Sequence, residues 1–182
     1  MKALVALAFA LTFLSVAPAQ KTRREVVKAT TPEQDAKPND PNVPDGVAIS
    51  TQFERVVIFR FKHKADLLAG MQQLVEQEGI RNAVILAGAG SVRNYQIHSV
   101  SNRDFPSKNI YIEDKSEPAD IISMNGYVLD GRLHPHLTLT TGEKAFGGHL
   151  EPGTNVFTFA IITLGVLKDD VDLSRLDDKT WR

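Results

Sequence analysis

Apolar and polar positions divide the chain into unequal parts. Ala3 to Val16 is almost unbroken apolar sequence, with Thr12 and Ser15 the mild exceptions. Residues 20–50 then carry Pro32, Pro38, Pro41 and Pro44, several charges and almost no large apolar residue after Val27. Such a stretch buries too little surface to offset its ordering entropy, so it reads as a flexible, Pro-rich linker, mobile or laid along a domain surface. From Phe53 the pattern becomes that of a folded domain, 51–168. Phe53 to Phe61 is rich in β-branched and aromatic residues and predicts a strand. Leu67, Met71, Leu74 and Val75 recur at i, i+4, i+7 and i+8, the stripe of an amphipathic helix, with Asp66 before it and Gly79 where a C-terminal cap belongs. Ala83–Ala87, Tyr95–Val100, Asn109–Ile112, Ala119–Leu129, Leu137–Thr140 and Val156–Leu167 read as further strands. Gly88-Ala89-Gly90-Ser91 reads as a turn, and Asp130-Gly131 as a hairpin signal. Residues 169–182 form a charged tail in which Leu173, Leu176 and Trp181 offer docking contacts. One early helix followed by strands on short turns predicts an α+β fold: a mainly antiparallel sheet with one principal helix packed on it.

Composition and charge narrow the function. The 182 residues carry 21 Lys+Arg against 22 Asp+Glu, a net charge of −1, so charge alone argues against a strongly basic nucleic-acid binder. Cys is absent, which excludes disulfides, thiolate metal sites and a cysteine nucleophile. Lys2, the apolar run and Ala17-Pro18-Ala19 make residues 1–19 a secretory signal, cut before Gln20. The run is too short to cross a bilayer, which takes about 17–25 residues, so no membrane span remains after cleavage. The expected location is secreted or periplasmic. Gly88 to Ser91 lacks the third glycine of a dinucleotide loop and precedes a strand rather than a helix, so no dinucleotide site is expected.

The candidate chemistry lies in Gly131-Arg132-Leu133-His134-Pro135-His136-Leu137 and Phe146-Gly147-Gly148-His149-Leu150. In a strand, residues i and i+2 share a face, so His134 and His136 present two imidazoles side by side. His149 follows across a hairpin expected at Thr141-Gly142-Glu143-Lys144, with two glycines beside it that let backbone approach closely. Three neutral imidazoles with one open position are the donor set of a catalytic zinc site. Imidazole also suits nickel, copper and iron. The alternative from the residues alone is a His149 that pairs with a backbone carbonyl in a turn. Pro135, which lacks an N–H, makes the local strand irregular in that reading. His63 and His98 lack such company and read as surface or interface residues.

These segments resemble the PPC-domain family, the plant and prokaryote conserved domain. The resemblance rests on Ala119–Gly126, on Asp130–Leu137 with its His-x-His, and on Gly147-Gly148-His149-Leu150 with Gly153. Arg60, the helix from Asp66 to Glu78, Gly79-Ile80 and Gly90-Ser91-Val92 extend it over roughly Gln52–Leu167. The resemblance implies a strongly bent antiparallel sheet assembled as a homotrimer. It also implies likeness in fold to acetolactate decarboxylase and to a zinc-dependent ester hydrolase, and by that analogy His134, His136 and His149 are the metal ligands. Plant members carry AT-hook DNA-binding motifs, and prokaryotic members are labelled DNA-binding by analogy. This chain has no Arg-Gly-Arg-Pro hook, and it reads Phe157-Thr158-Phe159-Ala160-Ile161 where many members carry a glutamate.

Three functions follow as expectations. The first is an exported zinc-dependent lyase or ester hydrolase, with Arg60 or Arg132 binding an anionic substrate group and Asp120 or Glu143 moving a proton. The second is DNA binding by family analogy, with Lys21-Thr22-Arg23-Arg24 the best basic run; export and an acidic mature chain argue against nucleic acid. The third is a non-catalytic trimeric module that binds a small molecule or serves as a scaffold.

Overall fold

The computed structural model describes residues 21–24, 40–102, 107–173 and 176. The expected signal segment, most of the expected linker and Trp181 lie outside the described residues. The described elements are β1 (Lys21–Arg24), β2 (Phe53–Lys62), α1 (Leu67–Gln77), β3 (Ala83–Val100), β4 (Asn109–Asp114), β5 (Ala119–Leu129), β6 (Arg132–Thr140), β7 (Ala145–Leu150) and β8 (Asn155–Leu167). They form an eight-stranded sheet in which every recorded pairing is antiparallel, with one helix, as the hydrophobic pattern predicts.

The helix begins directly after Asp66, whose backbone is extended. Its carboxylate accepts from the Ala69 backbone N–H at 3.0 Å, filling one of the donors that a helix start leaves open. The end is a Schellman turn. Gly79 takes φ +62°, Ile80 N–H donates to Val75 O at 2.9 Å, and Gly79 N–H donates to Glu76 O at 3.2 Å. Leu67, Met71 and Val75 are buried with Phe59 and Phe61 of β2 in one core. Each buried side chain contributes about 1.5–3 kcal/mol. Packing of this kind, rather than intrinsic propensity, holds so short a helix.

Strand β3 sets the topology. Its first half lies between β8 and β5, and its second half meets β4 and β7. Since β5 pairs with β6 and β6 with β7, the strands β3, β5, β6 and β7 close a circuit. The expected turn at Gly88 to Ser91 is therefore wrong: the segment is the middle of one 18-residue strand. The signal was misleading because Gly90 serves close strand approach, not chain reversal. A Cβ at Gly90 would fall well under 3.0 Å from the Phe159 carbonyl oxygen. Asp130 and Gly131, at φ 51° and 76°, make the expected tight hairpin between β5 and β6. β1, inside the segment expected to be a linker, pairs with β4 from Lys21↔Glu113 to Arg24↔Ile110.

A candidate metal centre

Register brings the histidines together. Asn125 of β5 pairs with His136 of β6, His136 with His149 of β7, His149 with His98 of β3, and His98 with Tyr111 of β4. Directly paired residues project from the same face, so these five side chains form a row across five strands. His134, two residues from His136, pairs with Tyr127 on that face. Ring centres of His134, His136 and His149 lie 5.0–5.3 Å apart, and His98 stacks on His149 at 4.5 Å. Gly147 and Gly148 allow the neighbouring strands to close on β7: a Cβ on either would fall well under 3.0 Å from the carbonyl oxygens of Leu137 and His98.

The three histidines named from the sequence are thus assembled in one place, and His149 stands in a strand rather than a turn. His98 and Glu151 were missed. The Nδ1–H of His98 donates to Glu151 Oε1, and both side chains are mostly buried. Among the described residues, His98, His149 and Glu151 form a set whose ligand atoms all lie within 4.8 Å of one another, close enough to hold a metal ion. Two ligands at about 2.1 Å from one ion stand at most about 4.2 Å apart, so modest side-chain shifts would close this set. In sequence His98 reads as a surface or interface residue because its neighbour in space, His149, is far away along the chain. Only strand register joins them.

The electrostatics favour ligand chemistry. Burial, and then the neighbouring His98, His134 and His136 rings, hold His149 below the ordinary imidazole value, with Glu151 opposing. His136 is lowered by partial burial, then by His134 and His98. A lowered value keeps the imidazole neutral, the form that binds metal. The Nδ1 of His149 is buried without a hydrogen-bond partner, 3.9 Å from Glu151 Oε1. A buried orphan nitrogen in a polar cluster calls for an explanation: an ion on Nδ1 is one, and a small shift of Glu151 that pairs Nδ1 and leaves Nε2 for an ion is another.

Of the charged residues given catalytic roles from the sequence, Arg60, Asp120 and Glu143 lie away from the row, and Arg132 shares a face with His134. Arg60 of β2 lies opposite Ile161. Asp120 pairs with Ser91 and Thr140, away from the row, and Glu143 sits in the exposed β6–β7 hairpin. Arg132 is exposed at the start of β6 and does not line the cavity beside His134 and His136.

The family model of the Plants and Prokaryotes Conserved (PCC) domain matches residues 48–168. No curated protein matches the chain. Several solved structures share its fold. A plant- and prokaryote-conserved protein of Pyrococcus horikoshii is 29% identical over 68% of this chain and 85% of its own, with a TM-score of 0.54. A metal-containing protein of Archaeoglobus fulgidus is 22% identical over 66% of this chain and 86% of its own, with a TM-score of 0.55. A candidate DNA-binding protein of Bacteroides thetaiotaomicron is 14% identical over 64% of this chain and 83% of its own, with a TM-score of 0.52. The name of this last neighbour does not fit the expectation against nucleic acid. Among the described residues no helix is long and apolar enough to cross a membrane.

Proposed function

The chain belongs to the Plants and Prokaryotes Conserved domain family, and from that premise we propose that it is an exported metal-binding protein whose ion is held by His134, His136 and His149. The observation that carries this reading is the gathering of those three rings to 5.0–5.3 Å between centres. Glu151 supports it. Ligating histidines usually turn their second nitrogen to a carboxylate, and Glu151 stands beside the orphan Nδ1 of His149, which leaves Nε2 for the ion. Zinc is the first choice for such a donor set. When bound, the ion would supply Lewis acidity toward a water or a carbonyl, the chemistry of a lyase or ester hydrolase.

A second ligand set is favoured by its closeness: His98, His149 and Glu151. Zinc titration of the metal-free protein separates the two. Under the first set, His134→Ala or His136→Ala weakens affinity more than about a hundredfold. His98→Ala and Glu151→Gln then cost about tenfold to a hundredfold, the range of outer partners. The reverse order moves the ion to the second set. Full affinity in His149→Ala, with circular dichroism unchanged, contradicts both.

The assembly is proposed as a homotrimer. Val56 and Ile58 of β2 and Phe159 and Ile161 of β8 are large, exposed and apolar on adjacent strands, and one face of this pair already carries α1. Apolar patches of this kind mark interaction surfaces. Ile58→Glu is expected to yield monomers in light scattering. Duplex DNA binding, which the name of the Bacteroides neighbour suggests, would instead appear as a gel shift that weakens steeply with salt.

A further inference from the structure

A cavity of about 390 Å³ opens beside His134 and His136, and its lining includes Asn125, Tyr127, Leu129 and Leu176. We infer that this cavity is a ligand subsite for a small oxygen-donor molecule carrying at most one negative charge, oriented by hydrogen bonds to Asn125 and Tyr127. The inference rests on the three-histidine metal reading above.

Register places the parts. Asn125 is the cross-strand partner of His136, and Tyr127 that of His134, so amide, phenol and both imidazoles project from one face. Both polar residues are exposed, with Tyr127 at 49%, so neither is committed to the core. Between them Gly126 is buried backbone at φ +130°, where a side chain would collide with the His134 carbonyl. The two strands are therefore locked, and the spacing from Asn125 and Tyr127 to the imidazoles is fixed by backbone rather than by loops.

The lining also sets the ligand's charge. Among the described residues that line it, none is Lys, Arg, Asp or Glu. Beside the described lining residues, which are all uncharged or imidazole, a bound ion would supply charge enough for one carboxylate, hydroxamate or polarised carbonyl. A phosphate or a dicarboxylate would bring a second charge that no described lining residue meets with a cation, at a desolvation cost. The amide and the phenol can donate to neutral oxygens, and Leu129 and Leu176 provide an apolar wall for a short carbon chain. The volume is at the lower end of small-molecule sites, about 300–1,000 Å³, which suits a small ligand.

The test uses the full chain loaded with cobalt(II), whose visible spectrum reports ligands entering its coordination sphere. Acetohydroxamate, succinate and inorganic phosphate are titrated separately, and metal content is measured before and after each titration. Acetohydroxamate is expected to shift the cobalt bands and to bind at least tenfold tighter than succinate or phosphate. In the Asn125→Ala/Tyr127→Phe double variant it is expected to bind about tenfold more weakly at unchanged metal content. Succinate or phosphate binding as tightly as acetohydroxamate overturns the inference, as does a double variant that binds like the wild type. A protein that takes up no cobalt fails at the metal measurement itself, which refutes the metal reading and this subsite with it.

Discussion

Replacing Gly126 by alanine tests how the site is held together. Gly126 sits in β5 opposite Pro135, between the residues that pair with His134 and His136. Its φ of +130° is one that L side chains rarely adopt. A strained backbone of this kind costs about 1–3 kcal/mol. An added Cβ would also fall well under 3.0 Å from the His134 carbonyl oxygen and 3.0 Å from the Pro135 Cα. Both obstacles are backbone and cannot swing away, so overpacking adds about 1–3 kcal/mol more. The sum, about 2–6 kcal/mol, is a large part of the roughly 5–15 kcal/mol that holds a domain together. At about 4 °C per kcal/mol the melting temperature should fall by about 8–24 °C. Gly131→Ala provides the control. Its φ is +76°, but a Cβ there meets nothing within 4 Å. Only the left-handed backbone cost of about 1–2 kcal/mol remains. Urea unfolding at 25 °C measures both variants. If Gly126→Ala loses no more stability than Gly131→Ala, the claim that backbone closeness fixes β5 against β6 is refuted.

Two further outcomes follow from single side chains. Asp66 caps α1 through Ala69 N–H and also accepts from Gly153 N–H at 2.6 Å, tying the helix start to the turn before β8. Asp66→Ala should therefore lower the unfolding free energy by about 2–3 kcal/mol, the cap plus one unmet donor, and a loss below about 0.5 kcal/mol would show that neither bond matters. In metal-free protein, His136 and His149 titrate below the imidazole value of 6.5. The unfolded chain then binds more protons between those lowered values and 6.5, so their contribution is complete above pH 6.5 and is lost as pH falls through the folded-state values. Urea unfolding in EDTA at pH 7.5 and 5.5 should show lower stability at pH 5.5, and His149→Gln should shrink the difference; an undiminished difference would assign it to other groups.

The sequence made some features readable and concealed others for a physical reason. The helix was legible because its stripe, its capping Asp66 and its terminal Gly79 are all local signals. Asp130-Gly131 was legible for the same reason, since two consecutive residues at positive φ leave few alternatives. His134 and His136 could be placed on one face from the two-residue period of a strand. The continuity of β3 was hidden because a glycine that admits a neighbouring backbone looks, in sequence, like a glycine that turns the chain. His98 and Glu151 were hidden more deeply. His98 meets His149 only through the pairing of β3 with β7, a register that no local pattern encodes. Glu151 follows the Gly-Gly-His-Leu segment directly, and the period of two from His149 was the signal that could have found it. Arg60, Asp120 and Glu143 show the converse: charge alone suggested chemistry, and strand pairing sets them away from the row.

The central claim, that the imidazole row holds a metal ion, is tested most directly by anomalous diffraction at the zinc edge from crystals of the zinc-loaded protein. The account predicts one strong peak per chain about 2.0–2.1 Å from a ring nitrogen of His149, with His134 and His136, or else His98 and Glu151, at about the same distance. A map with no peak in the row, or with zinc bound only at surface carboxylates elsewhere, would contradict it.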